Sequence, residues 1–306
     1  MLIFCRWPEE RYTGAHQMPE TYPGLEVKLD NVLVATDFSP VSKAAVLYAT
    51  AIARRHNSKL FIAHVVTSRS ESALMEGWRA GQAEITAQLL ANRLDGVEHE
   101  LMVKSGQVEE VLSRLIREKQ IDLVVVGTRG RTGVLKALLG SVAEDIFRRA
   151  PCPVLTIGPS ISGQNPEVGP ERILAATGFA THSVLGVRYA IGLAHNLHSS
   201  IALLHVVTEG GELSGEAKSR LTAESIAKLR GLIPIASDLA SEPLLLVEFG
   251  SAVEKILKTA AGWNANLIVL GLRSVQDAAT GKATWARAYE TVSKANCPVL
   301  TVRGSE

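Results

Sequence analysis

Four glycines and three basic side chains follow the apolar run Val124, Val125, Val126. They are Gly127, Gly130, Gly133 and Gly140, with Arg129, Arg131 and Lys136 among them. No acid stands between Asp122 and Glu144. Three of the glycines and Ser141 fall in the spacing G-x-x-G-x9-G-S. Glycine lets backbone N–H groups come close to an anion and tolerates positive φ. A helix opening at Ser141 adds free N–H groups and the positive end of its dipole. This is the chemistry of a phosphate cradle. It is neither the P-loop, since Gly-Lys-Ser/Thr is missing, nor the dinucleotide pattern G-x-G-x-x-G. Spacing alone leaves a plain turn open; the missing acids and the helix start favour an anion.

The second candidate is Asp37 in "ATDFS". A carboxylate suits phosphate poorly. It can accept hydrogen bonds from a sugar hydroxyl or help to hold a divalent cation, and a helix-capping role is equally open.

The elements that must position these residues occur twice. "VLVATDFSP" at Val32 returns as "ILAATGFAT" at Ile173, and "AHVVTS" at Ala63 as "LHVVTE" at Leu204. "DLVVVG" at Asp122 returns as "NLIVLG" at Asn266, and "APCPVLTIG" at Ala150 as "ANCPVLTVR" at Ala295. The order holds and the offset drifts only from 141 to 145 residues, which marks a duplicated domain. The division is an arm over 1–28, a first domain over 29–158, a Pro/Gly/Ser-rich linker over 159–170 and a second domain over 171–304.

In the first copy "NVLVAT" reads as a buried strand. Ser39 suits an N-cap and Pro40 the first helical position, with Ala44, Leu47 and Ala51 at helical spacing. "KLFIAHVV" is a second strand, about 71–94 an amphipathic helix, "VEHELMV" a third strand near an edge and "QVEEVLSRLIREK" a third helix. "IDLVVVG", "SVAEDIFRRA" and "CPVLTIG" complete the set. Strict β/α alternation predicts an α/β fold with a doubly wound, five-stranded parallel sheet in each copy. Ligands of such sheets sit beyond the carboxyl ends of strands, at the switch point. In the order 3-2-1-4-5, Asp37 and Gly127 face one crevice.

Composition removes several function classes. Aromatics at 5% argue against a stacking platform for single-stranded nucleic acid, and a net charge of +1 argues against DNA or an anionic membrane. There is no apolar run of about 18 residues and no secretory signal pattern, so a cytoplasmic protein is expected. Cys5, Cys152 and Cys297 match no zinc or redox spacing.

With these residues in hand, the chain resembles the universal stress protein family in its tandem form, over about residues 29–304. "GTRGRTGVLKALLGS" holds every fixed position of the motif in the family's ATP-binding members, and "ATDFS" holds their aspartate. The resemblance implies strand order 3-2-1-4-5, adenine nucleotide alpha hydrolase-like layering and ATP, with Mg2+ as a companion, at the switch point. It also implies pairing of fifth strands, here within one chain as a pseudo-dimer, with a homodimer open beyond that. Carried over by position, the site is Ala35, Thr36 and Asp37 after strand 1 and Val65 after strand 2, with Val126, Gly127, Arg129, Gly130, Gly140, Ser141 and Val142 around ribose and phosphates. The second copy departs from this pattern. Gly178 stands for Asp37 and Ser274 for the second loop glycine, and Trp285 and Ala286 fall opposite Gly140 and Ser141. One intact site is therefore expected, in the first domain.

No catalytic constellation is evident. Glu109–Glu110 and Glu144–Asp145 are helix neighbours that do not share a face. His64 and His205 recur at equivalent places and read as packing residues, Cys152 and Cys297 as small apolar ones. The helix around Trp78 reads as core-facing. The leading reading is a nucleotide-responsive regulator of stress resistance. A slow ATPase at the same site and an interaction module without nucleotide are the alternatives.

Overall fold

Apolar, β-branched runs form ten strands in a computed structural model of the chain, which describes residues 27–67, 71–91, 94, 96–128, 141–161, 166, 169–208, 213–234, 239–273 and 282–303. The first copy is β1 (Asn31–Ala35), α1 (Pro40–His56), β2 (Lys59–Val66), α2 (Glu71–Ala91), β3 (His99–Ser105), α3 (Val108–Glu118), β4 (Leu123–Gly127), α4 (Ser141–Arg149) and β5 (Val154–Ile157). A short 3-10 turn, Pro159–Ile161, leads on. The second copy is β6 (Arg172–Thr177), α5 (Thr181–Leu197), β7 (Ser200–Val207), α6 (Gly215–Arg230), β8 (Leu244–Phe249), α7 (Ala252–Gly262), β9 (Leu267–Leu272), α8 (Lys282–Lys294) and β10 (Val299–Arg303).

The predicted order appears in both halves, and the two sheets are one. The strands run β3-β2-β1-β4-β5-β10-β9-β6-β7-β8. All neighbours are parallel except β5 and β10, which pair antiparallel with Leu155 opposite Leu300. Helices α1, α2, α5 and α6 bury one face and α3, α4, α7 and α8 the other. Strands buried on both faces must be apolar throughout, which is why β4 reads "LVVVG".

Buried threonines stitch the seam reciprocally. Thr156 Oγ1 donates to the Val299 carbonyl at 2.8 Å, and its counterpart Thr301 Oγ1 to the Val154 carbonyl at 3.3 Å. Arg303 of β10 also donates to the Phe147 carbonyl near the end of α4. Replacing both threonines by valine keeps their shape and removes the two bonds. The expected loss is about 1 kcal/mol for each, read as a lower urea midpoint at unchanged slope.

Local signals explain both ends of α1. Ser39 caps α1, its Oγ accepting the Ser42 N–H at 3.3 Å, and Pro40 opens the helix. Asn57 closes it at φ 55°. Two readings of the sequence need correction. Leu47 does not belong to the buried stripe of α1: it is 41% exposed, because small residues at helical spacing, Ala45, Ala49 and Ala53, make the contact with the sheet. Trp78 does not face the core: it is 45% exposed. The face α2 turns to the sheet carries Gly77 and Gly81, where a Cβ would lie 2.6 Å from Val66 and 2.8 Å from His64. Packing that close leaves Trp78 on the outside. Strand β3 also starts two residues later than its alternation suggests, after a turn in which Val97 N–H bonds the Leu94 carbonyl and Gly96 takes φ 79°.

Candidate functional site

The end of β1 is built by a turn in which each polar group of Thr36 is engaged. Its N–H donates to Ala63 O at 2.9 Å. Its Oγ1 accepts the Phe38 N–H at 3.1 Å and lies 3.2 Å from Ser42 Oγ. Its carbonyl lies 2.8 Å from His64 Nδ1. A carbonyl only accepts, so that nitrogen carries the proton. Phe38 sits at φ 65°, a conformation that costs an ordinary residue about 1 kcal/mol. The Thr36 bond and the ring contact with His64, centroids 4.4 Å apart, hold it there.

The second copy repeats this turn closely. Phe179 N–H bonds Thr177 Oγ1 at 3.0 Å, His205 Nδ1 lies 2.9 Å from Thr177 O, and Phe179 stands at φ 63° with its ring centroid 4.4 Å from that of His205. The two histidines therefore share one structural task in both halves. Thr36, placed among the ligand residues by position, serves the turn in the same way as Thr177.

The turn aims Asp37, whose Oδ1 accepts the Ser39 N–H at 3.1 Å. Val34 pairs with Val125 in the β1–β4 ladder. Carried past the strand ends, that register sets Thr36 beside Gly127 and Asp37 beside Thr128. Ala35 ends β1 half-buried, and Val126 is buried in β4. Gly127 has a packing duty: a Cβ there would stand 3.1 Å from Ser42 N and from Val41. Val65 lies inside β2, paired with Lys104 of β3. Peptide groups alternate sides along a strand, so Val65, two residues after Ala63, turns its N–H and C=O toward the β1 side, past the end of β1. Ser141 and Val142 open α4. Arg129, Gly130 and Gly140 lie outside the described residues, as do Arg131, Lys136, Ser274 and Cys5.

One group escaped the sequence reading. Thr128 is 1% exposed, and its Oγ1 is a buried side-chain oxygen without a hydrogen-bond partner among the described residues. Such groups are rare because an unmade bond is costly. Its counterpart, by the same offset that relates Gly127 to Gly271, is Leu272, 2% exposed within β9. The signal lay in "GTRG" against "GLRS".

The second site is thus altered more deeply than a missing acid. Gly178 and Leu272 stand where Asp37 and Thr128 stand. A Cβ at Gly178 would meet nothing within 4 Å, so the fold does not demand a glycine there. Helix α8 runs from Lys282, four positions before the counterpart of Ser141, so Trp285 belongs to a helical turn. His182, in the first turn of α5, has its pKa held down by burial and then by Arg273, which adds positive charge at the end of β9.

Elsewhere burial pushes the Cys152 and Cys297 thiols up to about 12, which makes them poor nucleophiles. Glu144 pairs along α4 with Arg148 at 3.0 Å, a surface contact. No described helix is long and apolar enough to cross a membrane.

The chain matches the family model of the universal stress protein family twice, over residues 28–158 and 170–303. A curated relative in the same group, from Staphylococcus haemolyticus, is 31% identical over 137 residues, 42% of this chain and 83% of the relative. A universal stress protein structure from Archaeoglobus fulgidus covers 92% of this chain and 99% of its own at a TM-score of 0.67 and 18% identity, which shows the tandem fold. A shorter universal stress protein, 34% identical, covers 42% of this chain and 96% of its own at a TM-score of 0.35 and was solved in complex with cAMP.

Proposed function

The chain belongs to the universal stress protein family, and we propose that it is a nucleotide-responsive regulator that binds one ATP, in its first domain. The observation that carries this reading is the contrast between the copies. They share the Thr–Phe–His turn to within about 0.1 Å in its hydrogen bonds, yet only the first places a carboxylate and a hydroxyl at the β1 and β4 ends. The second copy keeps the same turn with Gly178 and Leu272 at those two positions, so the turn itself requires neither the Asp37 carboxylate nor the Thr128 hydroxyl.

In this reading Asp37 accepts a ribose hydroxyl, and the Val65 peptide, directed past the end of β1, meets the base edge. Ala35, Val126 and Gly127 form the floor. Arg129, Gly130, Gly140 and the first N–H groups of α4 at Ser141 and Val142 receive the phosphates. A divalent cation such as Mg2+ travels with those phosphates. Among the described residues no base is placed to activate water, so any turnover is slow and occupancy is the signal. Thr36 positions the others. Equilibrium binding of ATP, ADP, AMP and cAMP to the purified chain tests the reading: saturable ATP binding supports it, and no binding of any of the four at millimolar concentration overturns it.

A further inference from the structure

A cavity of about 610 Å³ lies where the two halves meet. Its floor includes Leu155 and Leu300, which face each other across the antiparallel seam. Its walls include Tyr48 and Ile52 of α1 and their repeat counterparts Tyr189 and Leu193 of α5. The cavity therefore sits on the internal twofold relation of the chain, away from the β1–β4 cleft. The cavity is partly open to solvent, so a ligand can reach it without unfolding the core. Its volume falls within the range of sites for small organic ligands, about 300–1,000 Å³.

The border also carries positive charge. Arg55, in the last turn of α1, lines the cavity and makes no ion pair or hydrogen bond among the described residues. Its guanidinium lies against Gly169, where a Cβ would stand 1.8 Å from Nη1 and where φ is 71°. Glycine at that point of the linker is what gives the guanidinium its place. Of the other cations on the lining, Lys294 is bound to Glu290 at 2.6 Å, and burial holds His56 toward its neutral form. Glu171 is the one acid among the described lining residues.

We propose that this cavity binds an apolar carboxylate, a hydrocarbon chain or ring system whose acid group meets Arg55. The largely apolar walls remove the body from water, and the planar guanidinium matches a carboxylate with two parallel hydrogen bonds. The site is independent of nucleotide binding in the first domain.

Calorimetry of the full chain with decanoate, 2-naphthoate and the neutral decanol tests this. One acid is expected to bind with one-to-one stoichiometry, at least about tenfold tighter than decanol. A preference for decanoate assigns a chain and for naphthoate a ring. Arg55→Gln, on the surface, should erase the preference for acid over alcohol. Ile52→Trp, which fills the space between the helices, should weaken the acid by at least about tenfold, with circular dichroism confirming the fold. The proposal is overturned if neither acid binds, or if binding is the same in both variants.

Discussion

Giving the first site the residues of the second, Asp37→Gly with Thr128→Leu, should lower ATP affinity by more than about a hundredfold. The loss of a carboxylate that accepts a sugar hydroxyl is worth about 1.5–3 kcal/mol, and each 1.4 kcal/mol is about tenfold. Leucine at 128 adds volume at the root of the glycine loop, as Leu272 does in the other copy. Single changes separate the two effects. Asp37→Asn keeps an acceptor for the Ser39 N–H and should lose about tenfold. Thr128→Val keeps the shape and removes only the hydroxyl. Because that oxygen is buried without a described partner, its removal should raise the stability of the nucleotide-free protein by about 1 kcal/mol. The same change should weaken ATP binding if the bound state satisfies the hydroxyl. Calorimetric titration and urea unfolding on the same variants read both quantities. An unchanged ATP affinity in the double variant would remove Asp37 from the site.

The second large effect is on the fold. Gly271→Ala should cost about 3 kcal/mol or more, whereas Gly127→Ala should cost about 1 kcal/mol. At Gly271 a Cβ would stand 2.0 Å from the His182 carbonyl oxygen and 2.6 Å from Ser183 Cα, both backbone of the first turn of α5. Nothing flexible can yield there. Gly186 of α5 is equally tight, with a Cβ position 2.6 Å from Gly271 N. In the first half Ala45 replaces that second glycine, and the contacts at Gly127 open to 3.1 Å. The halves thus differ in how deeply the first helix sinks onto the fourth strand. Denaturant midpoints of the two alanine variants measure this, and equal losses would contradict the asymmetry.

Much of this was legible from residue order. The repeat, the β/α alternation and the turn chemistry of Ser39 and Pro40 depend on neighbours in sequence, so they can be read there. The strand order followed from family resemblance and governs where Asp37 and Gly127 meet. What escaped depends on contacts between distant segments. Periodicity marks apolar residues on α1 but cannot say that a seam of alanines will take the buried side and leave Leu47 out. Gly77 and Gly81 look like weak points in a helix until strand β2 is seen against them. The cost of the Thr128 hydroxyl arises only from burial. The reciprocal bonds of Thr156 and Thr301 require two strands some 145 residues apart to pair. Of the proposed site, Asp37 was visible from the motif, while the place of Leu272 opposite Thr128 required the strand register.

The central claim is that duplication left one working nucleotide site and one that keeps only the fold. Equilibrium dialysis of radiolabelled ATP against the purified chain, with and without Asp37→Gly, tests it most directly. One ATP per chain, lost in the variant, is the predicted result; two per chain, or one that survives Asp37→Gly, would contradict it.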